Sequence, residues 1–474
     1  MISINVLPDD VLLAIFGSYL PGGSKFSGEN EKSTRAWQPL IHVCRRWRSV
    51  VFGSPRRLDL RLWCSDITRS RDMLNAWPTL PLIINTDWDR DYSTKGADNL
   101  VAALKCNDRV CKIDLSISSE TLAEILLAAI QQPFPELTEL MLWWRGKIDK
   151  TEVIPDSFLG GFAPHLEYLL LQGIPFPRLP KLLLSATHLA TLYLYDIPHS
   201  GYFSPDAMVA SLSTLTSLES LLLTFKSPES CPDLETRRLP PSTRSVLPVL
   251  TWFKFQGVNE YLEDLLTDID APQLDSLTIE FFNDSVFDTP ELIRFISRTS
   301  MSSSLESVNI VLKDNTASVT FRPPKGGYVH VSILCEGLDW LLSSLEQVCS
   351  SCSPFLSTLK VLYIDYEHTH RRSQPDWKDN IENRALWLEL LRPFTAVKKL
   401  YLSEKIALLI GPALQELVEG RATAVLPTLE NIFLRGLESL ERAPEGIGRF
   451  VATRQSTSHP IAILDRPDFV CGSR

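Results

Sequence analysis

The sequence predicts an α/β chain: a small N-terminal helical module followed by a solenoid of strand–helix repeats, with a parallel β-sheet on its concave side. Three observations predict it. Segments 4–20 and 37–52 carry apolar residues at helical spacing. From residue 110 onward, one apolar triplet recurs eleven times. Helix-like stretches fill the intervals between triplets. The divisions that follow are a helical module over 1–55, a linker with a first irregular repeat over 56–109, repeats over 110–465 and a tail over 466–474.

The first segment reads INVLPDDVLLAIFGSYL. Pro8 suits the first turn of a helix, where its missing N–H is not required. Asp9 and Asp10 follow, where the helix dipole favours negative charge. Val11, Leu12, Ile15, Phe16, Tyr19 and Leu20 keep helical spacing until Pro21-Gly22-Gly23 ends the run. The second segment repeats the logic with Leu40, Ile41, Val43, Cys44, Trp47, Val50 and Val51, and places Arg45, Arg46 and Arg48 on the polar side. Two or three short helices in about 50 residues bury too little surface to stand alone, so the module needs a partner. An ordinary helical cap on a larger domain is the plainer alternative.

The residue identities go further. Leu7-Pro8, then Ile15-Phe16, then Leu20, then Val43-Cys44-Arg45-Arg46-Trp47-Arg48 resemble an F-box, in order and within the first 52 residues. The resemblance implies binding to a Skp-type adaptor, which docks such a module on a cullin–RING ubiquitin ligase. It assigns Leu7, Pro8, Ile15, Phe16, Leu20, Val43, Cys44 and Trp47 to adaptor-facing or module-core positions. One departure is a polar insertion over about 22–35, which is expected to loop out.

Beyond residue 52 the character changes. Residues 58–62 alternate as a strand does. The triplet then runs Val110/Ile113/Leu115, Leu137/Leu140/Leu142, Leu166/Leu169/Leu171, Leu189/Leu192/Leu194, Leu218/Leu221/Leu223 and Leu250/Phe253/Phe255. It continues through Leu274/Leu277/Ile279, Leu305/Val308/Ile310, Leu359/Leu362/Ile364, Val397/Leu400/Leu402 and Leu429/Ile432/Leu434. Lead residues lie 23 to 38 positions apart, with one interval of 54, at or slightly above the leucine-rich-repeat range. Stretches 119–131, 289–298, 338–350 and 383–391 read as the intervening helices. Strand–helix units of this length stack with a parallel sheet inside. The long interval carries a hairpin signal over 319–333, two alternating runs flanking Pro323-Pro324-Lys325-Gly326-Gly327. The whole resembles the divergent leucine-rich-repeat tails of F-box proteins, especially the expanded families of mushroom-forming fungi.

Strand alternation assigns the open face. The second and third triplet residues point into the core, so their neighbours point out. That face is rich in aromatics: Trp143, Tyr168, Tyr193, Tyr195, Trp252, Tyr363, Tyr401 and Phe433. Aromatic anchors of this kind are enriched at protein interfaces, and these eight are the candidate target-binding residues. The competing reading is that neighbouring rungs stack the rings on one another.

Composition excludes several functions. A net charge of −10 and a pI near 5.4 argue against nucleic acid. No apolar run reaches the length of a membrane helix and no secretory signal is visible. Nine irregularly spaced cysteines fit a reducing compartment, cytosol or nucleus. No phosphate-binding glycine loop or nucleophile elbow occurs. Cys349 and Cys352 have redox or zinc spacing but lack two further ligands, and His368 and His370 sit in a polar stretch that reads as a loop. No catalytic residue, metal or cofactor is implied. The expected function is that of a non-catalytic substrate-recognition subunit of a Skp–cullin–F-box ligase. Its expected partners are a Skp-type adaptor, a cullin reached through that adaptor, and an unidentified target. The alternative is a repeat scaffold that never joins a ligase.

Overall fold

A computed structural model describes residues 7–19, 37–54, 57–58, 60–67, 70–77, 80–86, 94–146, 153–228, 244–282, 289–303, 305–324, 326–334, 337–367, 381–417, 424–435, 444–455 and 460–465. The chain divides into two compact units, Met1–Tyr202 and Phe203–Arg474.

The first unit opens with helices Asp9–Tyr19, Gln38–Val43 and Arg45–Gly53. Leu20 and the insertion at about 22–35 lie outside the described residues. Six parallel strands follow in chain order: β1 (Leu62–Cys64), β2 (Leu82–Asn85), β3 (Val110–Ile117), β4 (Glu139–Trp144), β5 (Tyr168–Gln172) and β6 (Thr191–Ile197). β1 and β2 fall where the sequence suggests a linker and irregular repeat, so regular pairing already begins at Leu62. Helix Thr94–Leu104 connects β2 to β3, and Glu120–Ala129 connects β3 to β4. The latter starts where Ser119 Oγ accepts a hydrogen bond from the Leu122 amide at 3.3 Å, an N-cap that satisfies one orphan donor.

Repeat residues pair in register. Ile113, Leu140, Leu169 and Leu192 form one buried row, and Leu115, Leu142, Leu171 and Leu194 the next. In all eleven triplets the second and third residues fall on a strand and are buried. Leu305 is the one lead residue left half-buried.

In the second unit the sheet order is β7 (Ser220–Phe225), β9 (Trp252–Gly257), β11 (Ser276–Phe281), β14 (Tyr328–Leu334), β13 (Thr316–Arg322), β12 (Ser307–Leu312), β15 (Val361–Tyr366), β16 (Lys399–Ser403), β17 (Asn431–Arg435) and β18 (Ala462–Asp465). A separate parallel pair joins β8 (Ser245–Val246) to β10 (Ile269–Asp270). The hairpin expected at 319–333 is formed by β13 and β14, with Val319 opposite Val331. It enters the sheet, separating β11 from β12. The cause is its own pattern. Val319, Phe321, Val329, Val331 and Ile333 are all buried, and an apolar hairpin face of that size is stable only against a core. Helix Leu338–Ser351 then leads from β14 to β15.

The expected helices are present as Pro290–Arg298, Leu338–Ser351 and Ile381–Leu391. Two contacts fix the helical layer. Glu263, buried on helix Asn259–Thr267, accepts from the amides of Glu291 at 2.8 Å and Leu292 at 3.0 Å, capping the next helix. Helices Glu404–Glu416 and Glu445–Gln455 cross at Gly411 and Gly446. A Cβ on Gly446 would overlap the Gly411 carbonyl.

Candidate interaction surfaces

The helical module closes its own core before it presents a surface. Cys44 is extended (φ −158°, ψ 170°) and splits the second segment into two helices. Its Sγ accepts from the Trp47 amide at 3.4 Å, so it serves as the N-cap of Arg45–Gly53. This places Trp47 beside Phe16, ring centroids 4.7 Å apart. The Arg46 guanidinium donates to Asp9 Oδ1 at 2.7 and 3.1 Å and to the Leu7 carbonyl at 2.5 Å, tying the first helix to the third. Arg48 donates to the Ile41 carbonyl at 3.1 Å. Both arginines therefore tie helices together from a partly solvated surface. Trp37, Phe52 and Trp77 form a further ring cluster, with centroids 4.9 to 6.0 Å apart.

What remains uncovered is an apolar stripe. Val11, Ile15 and Tyr19, spaced by one turn each, are 38%, 43% and 57% exposed, and Val43 is 59% exposed. Pro8 is exposed at the head of the same stripe. The sequence-assigned set thus divides. Pro8, Ile15 and Val43 face outward, Leu7, Cys44 and Trp47 are half-buried, Phe16 is buried, and Leu20 lies outside the described residues. The resemblance does not single out Val11 and Tyr19. Their spacing from Ile15 carries the signal.

The open sheet faces hold the aromatic residues, and all eight are half-buried. On the first unit, Tyr168 meets Tyr193 at 5.8 Å and 74°, and Tyr193 meets Tyr195 at 6.1 Å and 75°. Trp143 Nε1 donates to Asp114 Oδ1 at 3.1 Å, and Asn85 Nδ2 donates to Asp114 Oδ2 at 3.3 Å. Lys112 pairs with Glu139 at 2.8 Å. Burial raises the Asp114 carboxyl above its ordinary range, against the opposing pull of the Trp143 hydrogen bond and the Lys112 charge. It likewise raises the phenols of Tyr168 and Tyr195. Leu170, in register between Met141 and Tyr193, is buried rather than open.

On the second unit, Tyr363, Tyr401 and Phe433 occupy one register row and stack nearly parallel. Centroids are 4.5 Å apart at 19° and 4.4 Å apart at 8°. The row ends on Leu464, which is exposed. Trp252 lies in register with Ser220 and Ser276. The rings therefore do stack on one another, while keeping part of each surface open.

Cys349 and Cys352 are buried, and burial raises both thiols, Cys352 to about 12. A raised thiol pKa lowers the fraction of the reactive thiolate at neutral pH. Among the described residues no group of three or more His, Cys, Asp or Glu is arranged to hold a metal ion. His368 and His370 lie outside them. No described helix is long and apolar enough to cross a membrane. No known protein-family model matches the chain, and no curated protein matches it.

Proposed function

We propose that the chain is the target-recognition subunit of a Skp–cullin–F-box ubiquitin ligase. Its helical module serves as an F-box and its strand–helix units as leucine-rich-repeat-like coils. The observation that carries this reading is the stripe of Pro8, Val11, Ile15 and Tyr19, with Val43 exposed on helix Gln38–Val43, left open by a module whose core is already closed by Leu12, Phe16, Ile41 and Val51. Exposed apolar residues contiguous along one helix mark a surface awaiting a partner. The F-box resemblance makes that partner a Skp-type adaptor. Function then follows from proximity: one surface binds the adaptor and the open sheet face holds the target beside a ubiquitin-charged enzyme, raising the effective concentration of a target lysine. The chain itself makes and breaks no bond.

Co-expression with a Skp-type adaptor and a cullin tests the reading. Purification of the full chain is expected to carry both along. Retention of the adaptor without the cullin would favour a non-ligase scaffold, and absence of both would overturn the proposal.

A further inference from the structure

The chain carries a net charge of −10, yet residues 35–58 hold Arg35, Arg45, Arg46, Arg48, Arg56 and Arg57 and no acidic residue. Two of these arginines border Val43, the exposed end of helix Gln38–Val43. Arg45 follows Val43 by two positions, and the Arg48 guanidinium reaches back to the Ile41 carbonyl at 3.1 Å. Both arginines are exposed. Among the described residues Arg46 pairs with Asp9, Arg48 meets no carboxylate, and the Arg45 side chain has no partner. Helix stability does not account for Arg45. It opens helix Arg45–Gly53, whose first turn holds no acid, at the end where the dipole favours acids over bases. Arg45 and Arg48 are three positions apart, so they share one side of that helix and repel each other.

We propose that Val43 is covered by an acidic protein surface: an apolar socket edged by carboxylates that meet Arg45 and Arg48. The proposal rests on reading this face as the adaptor-binding one, and it names the chemistry of the adaptor's side. Carboxylates arriving there offset the repulsion between the two arginines and give Arg45 the counter-charge it lacks. A nucleic-acid backbone also offers negative charge, but here the arginines border an exposed apolar side chain. An apolar centre with a polar, charged border is the anatomy of a protein interface. The two parts then act differently: the charges speed encounter, and the apolar contact sets how long the complex lasts.

The test uses the full chain and a fluorescently labelled Skp-type adaptor, followed by stopped flow and anisotropy at about 50 and about 300 mM salt. Affinity is expected to fall about tenfold across that range, through slower association. Arg45→Glu is expected to weaken binding about tenfold at the lower salt, and Arg45→Gln about threefold. The melting temperature of Arg45→Glu should not fall, because the side chain is exposed and the helix dipole favours glutamate there. Further probes are independent of the adaptor: labelled peptides alternating leucine with glutamate or with lysine, and a single-stranded oligonucleotide. Of these, the leucine–glutamate peptide alone is expected to bind, and less well to Arg45→Glu. If the adaptor binds but neither salt nor the variants alter its affinity, the acidic border is wrong and the ligase reading stands. If the adaptor fails to bind while the leucine–glutamate peptide binds in an Arg45-dependent way, the ligase reading fails and the acidic partner stands. Absence of adaptor binding with no preference for glutamate over lysine overturns both. Oligonucleotide binding that Arg45→Glu abolishes would overturn the choice of a protein surface.

Discussion

Replacing Tyr401 by alanine removes the middle plate of a three-ring stack. Its neighbours, Tyr363 and Phe433, lie at 4.5 and 4.4 Å. Each such pair contributes about 0.5–1.5 kcal/mol beyond area burial, so two pairs account for about 1–3 kcal/mol. The half-buried ring adds about 1 kcal/mol of lost transfer energy. A total near 2–4 kcal/mol is expected. Tyr401→Leu retains most of the apolar burial and loses only the ring pairing, about 1–3 kcal/mol. Urea unfolding gives the total. Hydrogen exchange locates it, with protection lost first in Val361–Tyr366, Lys399–Ser403 and Asn431–Arg435. A double-mutant cycle with Phe433→Leu isolates the ring–ring term. A cost below about 0.5 kcal/mol for the alanine variant, or a coupling of zero in the cycle, would refute the stack as a structural element.

Substitutions at three further positions probe the scaffold. Glu263→Ala removes a buried carboxylate that caps two amides of the next helix, and should lower stability in urea by about 2–4 kcal/mol; Glu263→Gln, which keeps one acceptor, should lose about half as much. Gly446→Ala should force apart helices Glu404–Glu416 and Glu445–Gln455, because the new methyl overlaps the Gly411 carbonyl; a clear fall in melting temperature is expected, and an unchanged one would contradict the close crossing. His330 gives a pH dependence. Burial lowers its pKa below 6.5, outweighing Glu280, while Lys254, Lys313 and Arg322 act in the same direction as burial. The unfolded chain therefore takes up the proton first, and stability falls as pH drops below about 6.5, levelling off below the folded-state pKa. His330→Gln should flatten that part of the pH profile, as followed by thermal melts.

The strands were legible because their signal is local. A buried parallel strand needs apolar residues at period two, and the eleven triplets supply them with a spacing that one helix can bridge. The placement of β13 and β14 inside the sheet was not legible. Alternation shows that a hairpin forms, but the choice of β11 and β12 as its neighbours depends on contacts far apart in sequence. The helical module shows the same limit. Val11, Leu12, Ile15, Phe16 and Tyr19 are all apolar and all helically spaced, so the sequence marks a helix without saying which side is covered. Arg46 and Trp47 decide it, and their approach depends on the chain breaking at Cys44. The eight aromatic residues are half-buried, and whether their rings stack or open depends on register between strands, which a single strand does not encode.

The central claim is that a folded module leaves one apolar stripe for a Skp-type adaptor. Isothermal titration of the adaptor into the full chain tests it most directly, comparing the wild type with an Ile15→Asp, Val43→Asp double variant. Both side chains are substantially exposed, so the melting temperature should be unchanged while the affinity falls by at least about a hundredfold, the loss of two interface anchors. Unaltered affinity in a folded double variant, or no binding by the wild type, would contradict the claim.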